Sequence, residues 1–263
     1  MNPYLLIGIV LVVYMTLWFV VALVKKRNDV ADVAWGLGFV LVSWLSYLLI
    51  ESPDVRSLLV VVLITIWGLR LAWHIHVRNR GRSEDPRYRA WREAWGSWFF
   101  IRSYLQVFIL QGALLFAIAT PVFALHRSAG VSLGILDLVG FMIWVIGFIF
   151  EAVGDAQLAR FIRTKENAGK VLDTGLWRYS RHPNYFGEVT QWWGIWVIAL
   201  SAPLTFWSII GPLTITFLIL KVSGIPMLEK RMSENPLFRD YQARTSVFFP
   251  LPPRRIPSTR ENA

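Results

Sequence analysis

Seven long runs of apolar residues constrain this 263-residue chain more than any other feature. The first run, residues 4–24, has 21 residues and no charge, which matches the roughly 20 residues that a helix needs to cross a bilayer core. The further runs are 33–50, 57–77, 104–125, 133–153, 186–202 and 204–220. Because backbone polar groups inside a bilayer must be satisfied within the protein, the runs predict an all-α fold, a polytopic membrane bundle of seven transmembrane helices.

Positive charge is distributed unevenly among the connections. The chain carries 27 Lys and Arg residues and a formal net charge of +10. Of these cations, 23 lie after spans 1, 3 and 5 or in the C-terminal tail, whereas the opposite loops hold only Arg56 and Arg127. Cytoplasmic loops collect Lys and Arg, so the N-terminus is predicted outside and the C-terminus in the cytoplasm. Topology thus accounts for much of the charge, and no nucleic-acid partner is predicted.

The organisation of the chain is simple. No repeat, linker or long soluble segment is visible, so residues 1–263 are predicted to form one membrane domain, with a flexible tail at 251–263. We expect a multi-pass protein of a bacterial inner membrane, in contact with membrane lipids and without an obligate protein partner. The absence of cysteine excludes disulfides, thiolate metal sites and a cysteine nucleophile, and no metal site is predicted.

Ionisable residues inside spans are costly, which makes them the first candidates for function. The inner end of span 3 carries Arg70, His74 and Arg78 four residues apart, on one helical face. Span 5 ends in Glu151 and Asp155, also four residues apart. Each group has two interpretations. It either lines a site at the cytoplasmic mouth, or it is a helix end that snorkels and pairs with nearby charges.

Span 6 presents a polar stripe. Asn184, Glu188 and Trp192 follow one another at helical spacing, so an amide, a carboxylate and an aromatic ring share one face. A buried carboxylate needs a partner, which here is either Lys221 of span 7 or the amide or hydroxyl of a bound ligand. No dinucleotide-binding glycine motif, Walker loop or zinc-protease motif is present, so a nucleotide cofactor would need a pocket made by the bundle itself.

The segment GLWRYSRHPNYFGE at 175–188 resembles the membrane steroid 5-alpha-reductase superfamily, in particular its short bacterial members. The likeness extends through EKRM at 229–232 and DYQARTSVFFP at 240–250, and less specifically through 70–88. It implies an NADPH site open to the cytoplasm and an oxidoreductase acting on CH–CH groups. Hydride would pass to the beta carbon of an enone in a lipophilic 3-oxo-delta-4 substrate that enters from the bilayer.

The same resemblance assigns roles by position. Residues from about 126 to 250 would bind the cofactor, and the helices of about 1–125 would surround the substrate. The residues expected around the nicotinamide half are Asn184, Tyr185, Glu188 and Trp192. Those expected to contact the adenosine and phosphates are Asp155, Arg163, Lys170, Arg178 and Arg181, with Arg78, Asn79 and Arg82 from a second loop.

The substrate-facing residues depart from the superfamily pattern. In the mammalian steroid enzymes a glutamate of span 2 and a tyrosine of span 3 address the substrate ketone. Here span 2 offers only Asp32, at its inner edge, and span 3 places His74 near the position of the tyrosine. A protonated Asp32, or His74, is therefore the predicted catalytic donor to the developing enolate.

Two other functions stay open at this point. The Arg-His-Pro-x-Tyr-x-Gly pattern is also similar to isoprenylcysteine carboxyl methyltransferases and related phospholipid methyltransferases, which use S-adenosylmethionine. A non-catalytic lipid-binding membrane protein is the third possibility. The loops after spans 3 and 5 contain thirteen Lys or Arg, which would attract the polyanionic NADPH and favour the reductase.

Overall fold

The computed structural model describes residues 2–49, 53–126 and 132–254. None of these residues lies in a β-strand, which confirms the all-α prediction for this part of the chain. The α-helices are α1 (Pro3–Lys25), α2 (Val30–Leu48), α3 (Val55–Asn79), α4 (Pro86–Trp95), α5 (Phe99–Arg102), α6 (Leu110–Ile118), α7 (Thr120–His126), α8 (Ile135–Arg163), α9 (Pro183–Ala199), α10 (Ile210–Phe217), α11 (Ile225–Met232) and α12 (Pro236–Arg244). Ser103–Ile109 and Leu218–Val222 are π-helical, and Gly96–Trp98, Lys165–Asn167, Gly175–Arg178 and Phe206–Ile209 are 3₁₀-helical.

Six helical stretches among the described residues are long and apolar enough to cross a membrane, in agreement with a polytopic membrane bundle. They are Pro3–Lys25, Val30–Leu48, Val55–Asn79, Pro86–Ile118, Ile135–Arg163 and Phe206–Met232. The remaining predicted span, 186–202, corresponds to α9, whose 17 residues are at the lower limit for crossing a bilayer. The total of seven spans and their orientation stay predictions.

Two segments differ from the sequence expectation. The arginine-rich stretch after span 3 was expected as a loop, yet α4 forms there because Asp85 caps its first turn and Pro86 starts it. The predicted fourth span, 104–125, is divided at Ala119, and α7 begins anew just before Pro121. Proline lacks the N–H that a continuous helix would need at that point.

The described residues group into two compact units. The first unit comprises those of 1–138 and 195–214, and the second comprises those of 139–194 and 215–263. In the first unit, α2 and α3 approach so closely that a Cβ on Gly36 would stand 2.6 Å from the carbonyl oxygen of Gly68. In the second unit, a Cβ on Gly147 of α8 would stand 2.6 Å from the carbonyl oxygen of Gly187 in α9. Small residues thus allow close helix packing in both units.

A buried ion pair braces the first unit. Arg56 in α3 donates from Nε and Nη2 to the two carboxylate oxygens of Asp137 in α8, at 2.7 and 2.9 Å. The two side chains are only 1% and 4% exposed, and Arg56 also donates to the Ser132 carbonyl oxygen at 2.7 Å.

Arg127, the other cation predicted on this side, and tail residues 255–263 lie outside the described residues. Within the predicted tail, the Leu251 and Arg254 amides bond the carbonyl oxygens of Tyr179 and Arg244.

Candidate functional site

Asp32 is the centre of a polar cluster in the first unit. It lies in the first turn of α2, where the Tyr88 hydroxyl donates to its Oδ1 at 2.7 Å. Two guanidinium groups face its other oxygen, with Arg87 Nη2 at 3.5 Å and Arg78 Nη2 at 4.0 Å. The structure therefore brings together two predicted site residues, Asp32 and Arg78. It also places the phenol of Tyr88, from α4, against Asp32.

The segment before α2 is fastened to the segment before α4. The backbone amide of Asn28 donates to Glu84 Oε1 at 2.6 Å, and the amide of Asp85 donates to Asp29 Oδ2 at 3.1 Å. Arg27 Nη1 adds a bond to the carbonyl oxygen of Arg82 at 3.1 Å. These reciprocal bonds hold the first turns of α2 and α4 together, and so fix the distance between the side chains of Asp32 and Tyr88.

Electrostatics support this arrangement at its exposed edge. Burial raises the pKa of the Asp85 carboxyl, but hydrogen bonds and charge attraction from Arg87 outweigh it and hold the pKa below its usual range. Asp85 therefore stays ionised at neutral pH and shares the Arg87 guanidinium with Asp32. A cation between two carboxylates keeps this small cluster near electrical balance.

Tyr88 and Arg87 are site residues that sequence reasoning missed. Tyr88 is only 4% exposed, and its ring packs edge-on against Trp91 with 5.4 Å between centroids. The signal that could have identified it is local. Asp85-Pro86 is a helix-start pattern, and it places residues 88, 91 and 95 on one aromatic face among the arginines.

The polar stripe of α9 meets α8 within the second unit. Asn184 Nδ2 donates to Asp155 Oδ1 at 3.1 Å, so two residues predicted to contact the cofactor are neighbours. Two turns further along α9, Gln191 Nε2 donates to Glu151 Oε2. The Asn184 Oδ1 atom is buried and accepts no hydrogen bond from any described residue. The amide thus keeps a buried acceptor available for a donor group.

A second cluster in the same unit is centred on Glu229. Arg181 donates to both of its oxygens, at 2.7 and 3.1 Å, and His182 Nε2 stands 3.1 Å from Oε1. Gln242 Nε2 donates to Oε2 at 3.1 Å. The two residues just before α9 are thereby tied to α11 and α12. Of this cluster only Arg181 was predicted as a site residue, because Glu229 is 48 residues away along the chain.

Nearby, α12 is anchored by a buried phenol. The Tyr241 hydroxyl donates to the carbonyl oxygen of Trp177, and burial raises the pKa of that phenol. The Trp177 indole in turn donates to the Gly154 carbonyl oxygen at 3.1 Å. These two bonds connect α12 through Trp177 to α8, and so hold the chain on both sides of the Arg181–Glu229 cluster in place.

The other predicted site residues differ in exposure. Arg82, Arg163, Lys170 and Arg178 are exposed, and their side chains form no ion pair with the described residues. Arg78 Nε donates to the Asn79 amide oxygen at 3.2 Å. Tyr185 is half-buried and stacks on His182, with ring centroids 5.7 Å apart. Trp192 is 2% exposed, whereas His74 and Glu188 are half-buried.

Across 2–49, 53–126 and 132–254 no cluster of three His, Asp or Glu residues is arranged to hold a metal.

Sequence comparison places the chain that carries these two clusters in a family. The family described as "Protein of unknown function (DUF1295)" matches residues 18–245, which is most of the chain. The chain belongs to this family. DUF1295 is part of the steroid 5-alpha-reductase-like superfamily, so the superfamily predicted from the 175–188 segment is confirmed. No solved structure matches the sequence.

Curated relatives of this DUF1295 chain include a Schizosaccharomyces pombe protein named only as uncharacterized, 26% identical over 222 residues, or 74% of this chain and 63% of that protein. The 3-oxo-5-alpha-steroid 4-dehydrogenase 1 of Rattus norvegicus is 26% identical over 116 residues, 43% of this chain and 41% of the rat protein. Its Mus musculus counterpart is 31% identical over 74 residues, 28% and 26% of the two chains. The chain thus spans less than two thirds of these relatives. The distant similarity indicates a membrane oxidoreductase-like family.

Proposed function

We propose that this protein is an NADPH-dependent membrane reductase that saturates a carbon–carbon double bond conjugated to a ketone. The substrate class is a lipophilic 3-oxo-delta-4 compound that reaches the protein from the bilayer, with the cofactor taken from the cytoplasm. The superfamily supports the reaction type. The observation that carries the proposal is the Tyr88 hydroxyl held 2.7 Å from the carboxylate of Asp32, in the first turn of a candidate membrane-spanning helix.

In the first unit, Tyr88 would turn the single hydrogen of its hydroxyl from Asp32 Oδ1 to the substrate ketone when the substrate binds. Addition of hydride to the beta carbon moves negative charge onto the ketone oxygen, and a preorganised donor stabilises that charge. In the substrate-free protein, Asp32 holds the phenol in place, and the Arg87 guanidinium carbon lies 5.6 Å from the centre of the Tyr88 ring. The positive charge would stabilise the negative charge that builds up on the phenol and ketone oxygens. A proton from solvent, added at the alpha carbon, then completes the saturated ketone. His74, the other predicted donor, lies one turn before Arg78 on α3.

In the second unit, the residues present fit a nicotinamide cofactor with phosphates. The buried Oδ1 of Asn184 would accept from the carboxamide N–H, since Asp155 fixes the orientation of the amide. Glu188 lies one turn further along α9. The exposed side chains of Arg163, Lys170 and Arg178 would meet the phosphates. When bound, the cofactor supplies the hydride, while the protein supplies its orientation and a dry cavity.

Ligand-dependent thermal stability of the detergent-purified protein tests the cofactor. A ligand that binds only the folded state raises the apparent Tm, and the proposal expects the largest rise with NADPH, a smaller rise with NADH and none with S-adenosylmethionine. Asn184→Ala and Glu188→Gln should each reduce the NADPH-induced rise. Glu166→Gln is the matched control, because Glu166 is exposed in the 3₁₀ segment after α8. Stabilisation by S-adenosylmethionine alone would contradict the proposal.

Turnover tests the chemistry. Progesterone, a 3-oxo-4-ene steroid, serves as the enone probe, and mass spectrometry detects gain of two hydrogens. With deuteride at C4 of the nicotinamide, the label should appear at the beta carbon of the product. Label at the carbinol carbon of a reduced ketone would identify a carbonyl reductase instead.

A further inference from the structure

The helical stretch Pro86–Ile118 is longer than a bilayer requires. If they continued in one direction, its 33 residues would measure about 50 Å at ~1.5 Å per residue, whereas the hydrocarbon core is ~30 Å thick and needs about 17–20 residues. About 13–16 residues therefore lie outside the core or at its edge. Charge identifies them, because residues 103–118 contain no Asp, Glu, Lys or Arg, whereas the ten residues of α4 contain three arginines and one glutamate.

Gly96 allows α4 to leave the direction of the spanning helix. Its φ of +49° lies in the left-handed region, and a Cβ there would meet nothing within 4 Å. Backbone conformation, and not packing, therefore calls for glycine at this position. Tyr88 and Arg87 fasten the other end of α4 to Asp32, in the first turn of a candidate spanning helix. This contact holds α4 at the level where α2 enters the membrane.

Exposed arginines and aromatic rings lie on α4 and on the segment that follows it. We define the α4 surface as Arg89 of α4 together with Trp98, Phe100 and Arg102 of the following segment. Both arginines are exposed and form no ion pair with the described residues, and both aromatic side chains are 61% exposed. Glu93, one turn after Arg89, is the acidic residue next to it on α4. Exposed aromatic rings beside arginines are typical of segments that lie in the headgroup layer.

We propose that α4 is an interfacial helix and that the α4 surface binds the headgroups of anionic phospholipids. The guanidinium groups of Arg89 and Arg102 pair with lipid phosphate, which matches their planar donor geometry. Trp98 and Phe100 place their rings at the boundary between headgroups and acyl chains. A zwitterionic lipid offers the same phosphate with a neutralising cation, so anionic lipids bind more tightly. The proposal does not depend on reductase chemistry.

Depth measurement tests the position of α4. Because the chain has no cysteine, Ala90→Cys and Ala94→Cys each create a unique labelling site on the exposed side of α4. A nitroxide at either site, in vesicles of equal parts phosphatidylcholine and phosphatidylglycerol, should show much lower access to a water-soluble nickel chelate than a label at Glu166→Cys. Equal access at the two α4 sites and at the Glu166→Cys label would place α4 in water and overturn the proposal.

Lipid selectivity tests the arginines. Arg89→Gln and Arg102→Gln should each weaken phosphatidylglycerol binding about fivefold in native mass spectrometry, because a juxtamembrane arginine contributes about 1 kcal/mol. Phosphatidylcholine binding should not change. Glu93→Gln is the matched control on the same helix and should leave phosphatidylglycerol binding unchanged or strengthen it. Unchanged binding in both arginine variants, or equal weakening in Arg89→Gln and Glu93→Gln, would overturn the proposal.

Discussion

Replacement of Tyr88 by phenylalanine separates a catalytic hydroxyl from a structural one. The change removes a single oxygen and keeps the ring that packs on Trp91. It leaves Asp32 Oδ1 without the bond that it accepts at 2.7 Å, while Arg87 and Arg78 still face the other oxygen at 3.5 and 4.0 Å. The perturbation therefore removes this charge-assisted hydrogen bond and the long one that Gln111 Nε2 donates to the Tyr88 oxygen at 3.5 Å.

The cost in stability follows from that bond. Hydrogen bonds to charged groups contribute about 1.5–3 kcal/mol, and the two arginines that remain favour the lower half of this range, so we expect a loss of about 2 kcal/mol. For a chain of this size that corresponds to a fall in Tm of about 4–8 °C. Tyr14→Phe is the matched control in the same unit. Its hydroxyl donates to the neutral Ala34 carbonyl oxygen at 2.9 Å, and its loss should cost about 1 kcal/mol.

The cost in activity distinguishes the two roles. If Tyr88 donates to the developing enolate, Tyr88→Phe should lower kcat on the enone probe by about 10²–10³, as loss of an oxyanion donor does elsewhere. Tyr14→Phe should keep kcat within about twofold, because about 1 kcal/mol leaves a stable protein folded. The assay compares kcat per folded molecule at a temperature below both transitions. A Tyr88→Phe variant with a lowered Tm and an unchanged kcat would refute the catalytic assignment.

Two further predictions concern the first unit. Asp137→Asn should destabilise the protein by about 3–5 kcal/mol, because it leaves the buried Arg56 guanidinium without its counter-charge, and thermal unfolding should show a far smaller loss for the exposed Asp240→Asn. Burial lowers the pKa of His126, which contacts the Ser46 hydroxyl at 2.9 Å, to about 4. Since the unfolded chain binds a proton near pH 6.5 and the folded one only near pH 4, stability should fall by up to about 3 kcal/mol as the pH falls between these values, and His126→Gln should remove this dependence.

The apolar runs predicted most of the long helices. The run 57–77 corresponds to α3 (Val55–Asn79). The helix is slightly longer than the run because its start is set by the Asp54 cap and not by hydropathy. The prediction failed where a helix forms in a segment that is not apolar. Residues 86–95 are too charged to resemble a span, yet a cap, a proline and an aromatic stripe make them helical.

The candidate site was predicted in part for a related reason. Asp155 and Asn184 were predicted because a polar residue in or beside an apolar run is conspicuous, and Asp32 because it stands nearest to the glutamate of the superfamily pattern. Tyr88 was not found, because its partner Asp32 is 56 residues away and its own segment reads as a basic loop. Contacts over such separations depend on how helices pack, and no local pattern in one sequence encodes that pairing.

The structure also divides the arginines of the second unit into two kinds. Arg181 has five N–H groups, and four of its hydrogen bonds are already made, two to Glu229 and two to the carbonyl oxygens of Gln242 and Thr245. A phosphate would have to displace the half-buried carboxylate of Glu229 to bind there. Arg178, three residues earlier, is exposed and makes no ion pair with the described residues, so it can meet a phosphate without such competition. Arg181 is therefore better suited to position the segment before α9, and Arg178 to contact the ligand.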